Sequence, residues 1–167
     1  MSTEAFFFVE KQNYSFDRFL GSLVVAAFRA NVRIWITSYK KYDKEGDMTY
    51  FDINICYRPR HDSQMLMYVN SEKHAKQSLD FCASTLERHI RSKPHLEYYE
   101  AGYIEDISGL FETRERLLFD FVYEYLRLNP HDLLWVDYDL VFGLEELERL
   151  RQRPYCRTWC YQDPNAE

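Results

Sequence analysis

Three aspartates, Asp132, Asp137 and Asp139, bracket the apolar run Leu133-Leu134-Trp135-Val136, and Glu145, Glu146 and Glu148 follow within a few residues. Carboxylates gathered at the ends of a short strand can do three kinds of chemistry. They can grip Lys and Arg of a basic macromolecule, with Trp135 and Tyr138 as aromatic anchors. They can hold a hard divalent cation if further oxygen ligands converge. A pair of them can act as general acid and base in a pocket that raises one pKa. The structural alternative for Glu145 and Glu146 is the first turn of a helix, where the macrodipole favours acids. Asp137 and Asp139 flank a single Tyr and need solvent or a cation. No Gly-containing calcium loop surrounds them, so neither a metal nor another cofactor is expected.

The cluster belongs to a wider charge asymmetry. Between His95 and Glu148 there are fourteen Asp or Glu against three Arg (Arg114, Arg116, Arg127), a formal charge of −11 within a total of −6. Aromatic residues are mixed in, among them Tyr98, Tyr99, Tyr103 and Tyr125. Such a field attracts basic partners and repels nucleic acid and anionic membranes. The basic residues Lys40, Lys41, Lys44, Arg58 and Arg60 cluster elsewhere, in turns without a glycine-rich phosphate cradle, and read as a solvated loop face.

Nucleophilic chemistry is not legible. Cys82 and His89 lie two helical turns apart, about 10 Å along the axis, too far to pair. Cys156 and Cys160 would be about 13 Å apart in an extended strand and cannot share zinc without a bend. They read as structural thiols. There is no P-loop, dinucleotide fingerprint, zincin helix or nucleophile elbow, and no catalytic residue is assigned. A non-enzyme is expected.

The elements that must carry these residues follow from hydrophobic period. The chain has 167 residues, 46% hydrophobic and 17% aromatic, which suits a single domain over 1–167 with a well-filled core. Phe6 to Val9 is β-like. A helix over about 15–30, capped by Ser15 or Asn13, turns Phe16, Phe19, Leu20, Leu23, Val24, Ala27 and Phe28 to one face. Strands at about 32–39, 49–57 and 65–69, joined by short polar loops, predict an antiparallel meander. In the second of them Phe51, Ile53 and Ile55 alternate with Asp52 and Asn54, which leaves one wet face. Further helices are expected at about 71–92, 113–128 and 143–153. Residues 95–109 keep no period and read as an irregular connection with one short strand near Leu96 to Tyr99. Leu133 to Val136 reads as a short buried strand, and Tyr155 to Tyr161 as a final edge strand. The class is α+β, a meander sheet packed by about four helices.

No secretory signal is expected at the N-terminus, and the longest uncharged stretch, Phe19 to Phe28, is about half of what a bilayer span needs. The four scattered cysteines show no dense disulfide framework. A reduced, cytoplasmic setting is expected, with no membrane and no nucleic-acid partner, as a monomer or weak homodimer.

A small, acidic, tyrosine-rich α+β chain without catalytic motifs resembles, in overall character, the immunity proteins of polymorphic and contact-dependent bacterial toxins. That resemblance implies a tight one-to-one complex that blocks a basic toxin or effector domain. The contact face expected for it comprises Asp132, Trp135, Asp137, Tyr138, Asp139, Glu145 and Glu146, with Tyr98 and Tyr99. Two alternatives stay open: a phage-encoded inhibitor that mimics nucleic acid, and a small enzyme using a carboxylate pair among Asp132, Asp137, Asp139 and Glu145.

Overall fold

The computed structural model describes residues 3–57, 64–77, 97–107, 114–136 and 140–166. Seven strands, β1 (Ala5–Glu10), β2 (Val32–Tyr42), β3 (Met48–Tyr57), β4 (Met65–Asn70), β5 (Tyr98–Glu105), β6 (Leu133–Val136) and β7 (Leu140–Phe142), form one sheet in the order β2-β3-β4-β5-β1-β6-β7. Every neighbouring pair is antiparallel. Four helices accompany it: α1 (Phe16–Arg29), α2 (Glu72–Gln77), α3 (Arg114–Leu128) and α4 (Leu144–Gln152). The fold is α+β, and the expected meander is β2-β3-β4. The predicted second helix begins as expected, while residues 78–92 lie outside the described residues.

Alternation divides the sheet into two faces. Phe7 and Val9 of β1, Ile53 of β3, Met67 of β4, Ile104 of β5 and Leu134 of β6 join Phe19 and Leu23 of α1 and Leu118, Phe121 and Tyr125 of α3 in the main core. Phe7 meets Tyr125 edge-on at 5.1 Å between centroids, the arrangement that ring quadrupoles favour. On the other face Phe6, Phe8, Tyr98, Leu133, Trp135 and Val141 form a second apolar cluster. Both phases of β1 are therefore buried, which explains a strand reading AFFFVE with no polar alternation.

Local chemistry sets the boundaries. Ser15 Oγ accepts from the Arg18 amide at 3.2 Å and opens α1. Asn31, at φ 56°, turns the chain out of α1 into β2. At the β2–β3 hairpin Asp43 Oδ1 accepts from the amides of Glu45 and Asp47, and Gly46 supplies φ +86°. Gly102 is required for a different reason. A Cβ there would lie 2.5 Å from the carbonyl oxygen of Tyr68 on β4, beside the register shift in the β1–β5 pairing.

Three expectations are corrected. Tyr98 to Glu105 is a long strand between β4 and β1, not an irregular connection; a bulge at its centre breaks the period that sequence reading relies on. Tyr155 to Tyr161 is not an edge strand: it ends in a short 3-10 turn, Trp159–Tyr161, that buries Trp159 and Cys160. The Trp159 indole N–H donates to the Glu115 carbonyl at 2.9 Å and its ring meets Phe119 and Phe142, each at 5.2 Å. Phe28 leaves the buried face of α1 altogether and is 80% exposed.

Candidate functional site

The described residues among those expected to make a contact face do not form one surface. Asp132 is 3% exposed, Trp135 3% and Tyr98 4%. Asp132 Oδ1 accepts from the Glu10 amide at 3.1 Å, and Oδ2 accepts from the Tyr125 hydroxyl at 2.7 Å. The carboxylate thus ties the start of β6 to β1 and the end of α3. Burial raises its pKa to about 6, against the hydrogen bonds from Tyr125 and Glu10 that favour the charged form. Trp135 packs on Phe6 at 5.3 Å and Phe8 at 6.1 Å. These three contact assignments are corrected: their polar atoms and rings complete the interior.

Among the remaining expected residues, Glu146 is a helix cap. Its Oε2 accepts from the Gly143 amide at 2.9 Å, and its Oε1 accepts from Arg149 at 3.0 Å. Glu145 is exposed on the first turn of α4. Tyr99 is half-buried against Tyr14, ring centroids 5.5 Å apart, under the Lys11 ammonium. Asp137, Tyr138 and Asp139 lie outside the described residues, as do Cys82, His61, His89 and His95.

Part of the acidic third is also matched by basic side chains of the same chain. Asp120 pairs with Arg116, Glu124 with Arg127, Glu97 with Lys11, and buried Glu115 faces Arg157 at 3.8 Å. Matched charges of this kind contribute little to a long-range field.

What stands out instead is the sheet face opposite the helices, across β3, β4 and β5. Tyr50, Tyr68, Tyr103 and Phe6 form a continuous row over four adjacent strands. Their centroid spacings are 5.1, 4.8 and 5.6 Å in turn, and the last two pairs are stacked. The three tyrosines are all half-buried, so each presents an edge or hydroxyl to solvent. Carboxylates frame the row. Asp52 is the register partner of Tyr68 on β3, and the Tyr68 hydroxyl donates to Glu105 Oε2 at 2.8 Å.

Asp52 and Tyr103 both feel the Glu105 charge. Desolvation raises the Asp52 pKa, and the Glu105 charge raises it further. Tyr103 is pushed up to about 12, chiefly by burial, with Glu105, Glu4 and Glu100 adding to it. Asp52 Oδ1 is shielded from solvent and has no hydrogen-bond partner. A buried anionic oxygen without a donor is costly, and a cation or N–H donor would relieve it. Towards β2 the acidic character ends, where Lys41 Nζ lies 5.6 Å from the Tyr50 ring centroid.

The face was partly visible beforehand. Tyr50, Asp52, Tyr68, Tyr103 and Glu105 are the out-of-phase positions of three strands whose in-phase residues are Phe51, Ile53, Met67, Val69 and Ile104. Only the strand pairing shows that they are neighbours.

Among the described residues no group of His, Cys, Asp or Glu is placed to hold a metal ion, and no helix is long and apolar enough to cross a membrane. Cys56 and Cys160 are buried and Cys156 is exposed; none of the three forms a disulfide. Hydrogen bonds from Thr158 lower the Cys156 pKa, so this thiol is not the structural one expected. Comparison of the chain with protein-family models, with curated proteins and with solved structures finds no match.

Proposed function

We propose that this protein is a non-catalytic binding partner of a basic protein, an inhibitor of the immunity-protein kind that neutralises a cationic toxin or effector domain. In this reading the contact surface is the face formed by Tyr50, Asp52, Tyr68, Tyr103 and Glu105, in place of the C-terminal carboxylates. The observation that carries it is the row of packed rings, Tyr50, Tyr68 and Tyr103, flanked by exposed Glu105 and by Asp52. An Arg or Lys of a partner would pair with the exposed Glu105 carboxylate and could lie over a tyrosine face. The aromatic edges would provide low-entropy contact area, and the charges would govern association rate and selectivity.

The mixture of acids with aromatic rings favours a protein partner over mimicry of nucleic acid, which calls for regularly spaced charge on a hydrophilic face. The reading places the protein in a reducing cytoplasm, in line with Cys56, Cys156 and Cys160 being free thiols.

Affinity capture tests the proposal. The wild-type chain and an Asp52→Asn/Glu105→Gln variant, both shown to be folded, are immobilised and exposed to lysate at low ionic strength. Recovery of a basic protein by the wild type and not by the variant supports the reading. Identical recovery by both contradicts it.

A further inference from the structure

On the helical side of the sheet, α1 and the edge strand β2 enclose a groove of about 750 Å³ lined by Leu20, Val24, Phe28, Ile34, Ile36 and Ile53. Phe28 is 80% exposed and Ile36 51%. Leaving two large apolar side chains of one groove in water is costly. β2 is the terminal strand in the described sheet, and its outer edge has no neighbour there. An uncovered edge beside an apolar groove is the geometry that accepts an added strand.

The rim identifies the occupant. Arg33 lines the groove, exposed Arg29 follows its lining residue Phe28 and exposed Lys40 lies further along β2, and no described acid lies within ion-pair distance of the three. No carboxylate lines the groove. A second copy paired through β2 about a two-fold axis would bring two sets of Arg29, Arg33, Lys40 and Lys41 into one interface, which like-charge repulsion disfavours.

We infer that this groove binds an extended, acidic segment of another protein. The segment pairs with β2 as an added strand, seats alternate apolar side chains against Phe28 and Ile36, and sets Asp or Glu beside Arg29 and Arg33. The site is separate from the Tyr68 face, carries the opposite charge, and stands without the proposal made for that face.

The probe is a random-peptide display library selected on the intact wild-type chain, followed by fluorescence anisotropy with the selected peptides. Expected are sequences in which apolar residues alternate with Asp or Glu. Their affinity should fall at least tenfold with Phe28→Ser, Ile36→Lys or Arg33→Glu and stay unchanged with Asp52→Asn/Glu105→Gln. All three groove substitutions are at exposed positions, and a thermal melt verifies folding. Three results overturn the inference: enrichment of basic sequences or none, binding indifferent to the groove substitutions, or sedimentation showing a dimer that Ile36→Lys dissociates.

Discussion

The Tyr68 hydroxyl donates to Glu105 at 2.8 Å while Asp52, its register partner on the neighbouring strand, receives no hydrogen bond on its shielded oxygen. One tyrosine thus stands between two carboxylates and satisfies only one of them. Because the Asp52 pKa is raised in the folded chain, its ionised form is disfavoured there relative to the unfolded chain. Asp52→Asn should therefore raise the unfolding midpoint at pH 7. The gain should vanish as pH falls below the ordinary aspartate range, where both states are protonated. Thermal unfolding at pH 7 and at pH 3 checks this; a lower midpoint at pH 7 contradicts it.

Asp132 gives a second pH dependence of the same sign. Its folded pKa of about 6 lies above the unfolded value of 3.8. The ionised side chain weakens the fold above pH 6, and the penalty is relieved as pH falls from about 6 to about 4. At about 1.4 kcal/mol per pH unit, the whole effect is on the order of 3 kcal/mol. Ion-paired carboxylates elsewhere act in the opposite direction, so the wild type alone will not display it. Urea unfolding across that window should show wild-type stability rising relative to Asp132→Asn as pH falls. Parallel curves would mean that Asp132 titrates normally.

Gly102 predicts a steric effect. A Cβ at 2.5 Å from the Tyr68 carbonyl oxygen would force β4 and β5 apart, because that oxygen belongs to the backbone and cannot rotate away. Gly102→Ala should cost about 2 kcal/mol or more in chemical denaturation. A loss below about 0.5 kcal/mol, the range of neutral surface changes, would show that the sheet accommodates it.

Thiol chemistry offers a fourth check. Cys156 is exposed with a lowered pKa, whereas burial raises that of Cys56. Since the thiolate is the reactive form, Cys156 should react with a disulfide reagent at neutral pH well before Cys56 or Cys160. Cys156→Ser should abolish that reaction phase, and Thr158→Val should slow it. Equal labelling of all three cysteines would contradict this.

Much of the architecture was legible because hydrophobic period survives where elements have one wet side. Helix α1, the β2-β3-β4 meander and α3 all follow from it. The period fails where both sides are buried or the backbone shifts register, as in β5 with its bulge by Gly102. It fails again where one large ring dominates a loop, as Trp159 does. The candidate site was misplaced for a related reason. Charge counted along the chain ignores depth and pairing: Asp132 is internal, and Lys11, Arg149 and Arg157, outside the counted stretch, neutralise neighbours that the tally treats as free. The wet phase of β3 pointed to the surface proposed for binding, but the row from Tyr50 to Phe6 exists only once four strands are aligned.

The most direct measurement is a titration of an arginine-rich peptide into the isotope-labelled protein at low ionic strength, followed residue by residue by NMR. The account predicts the largest shifts at Tyr50, Asp52, Tyr68, Tyr103 and Glu105, their loss in Asp52→Asn/Glu105→Gln, and weakening as salt is raised. Largest shifts at Glu145 and Glu148, or a uniform response over the surface, would contradict it.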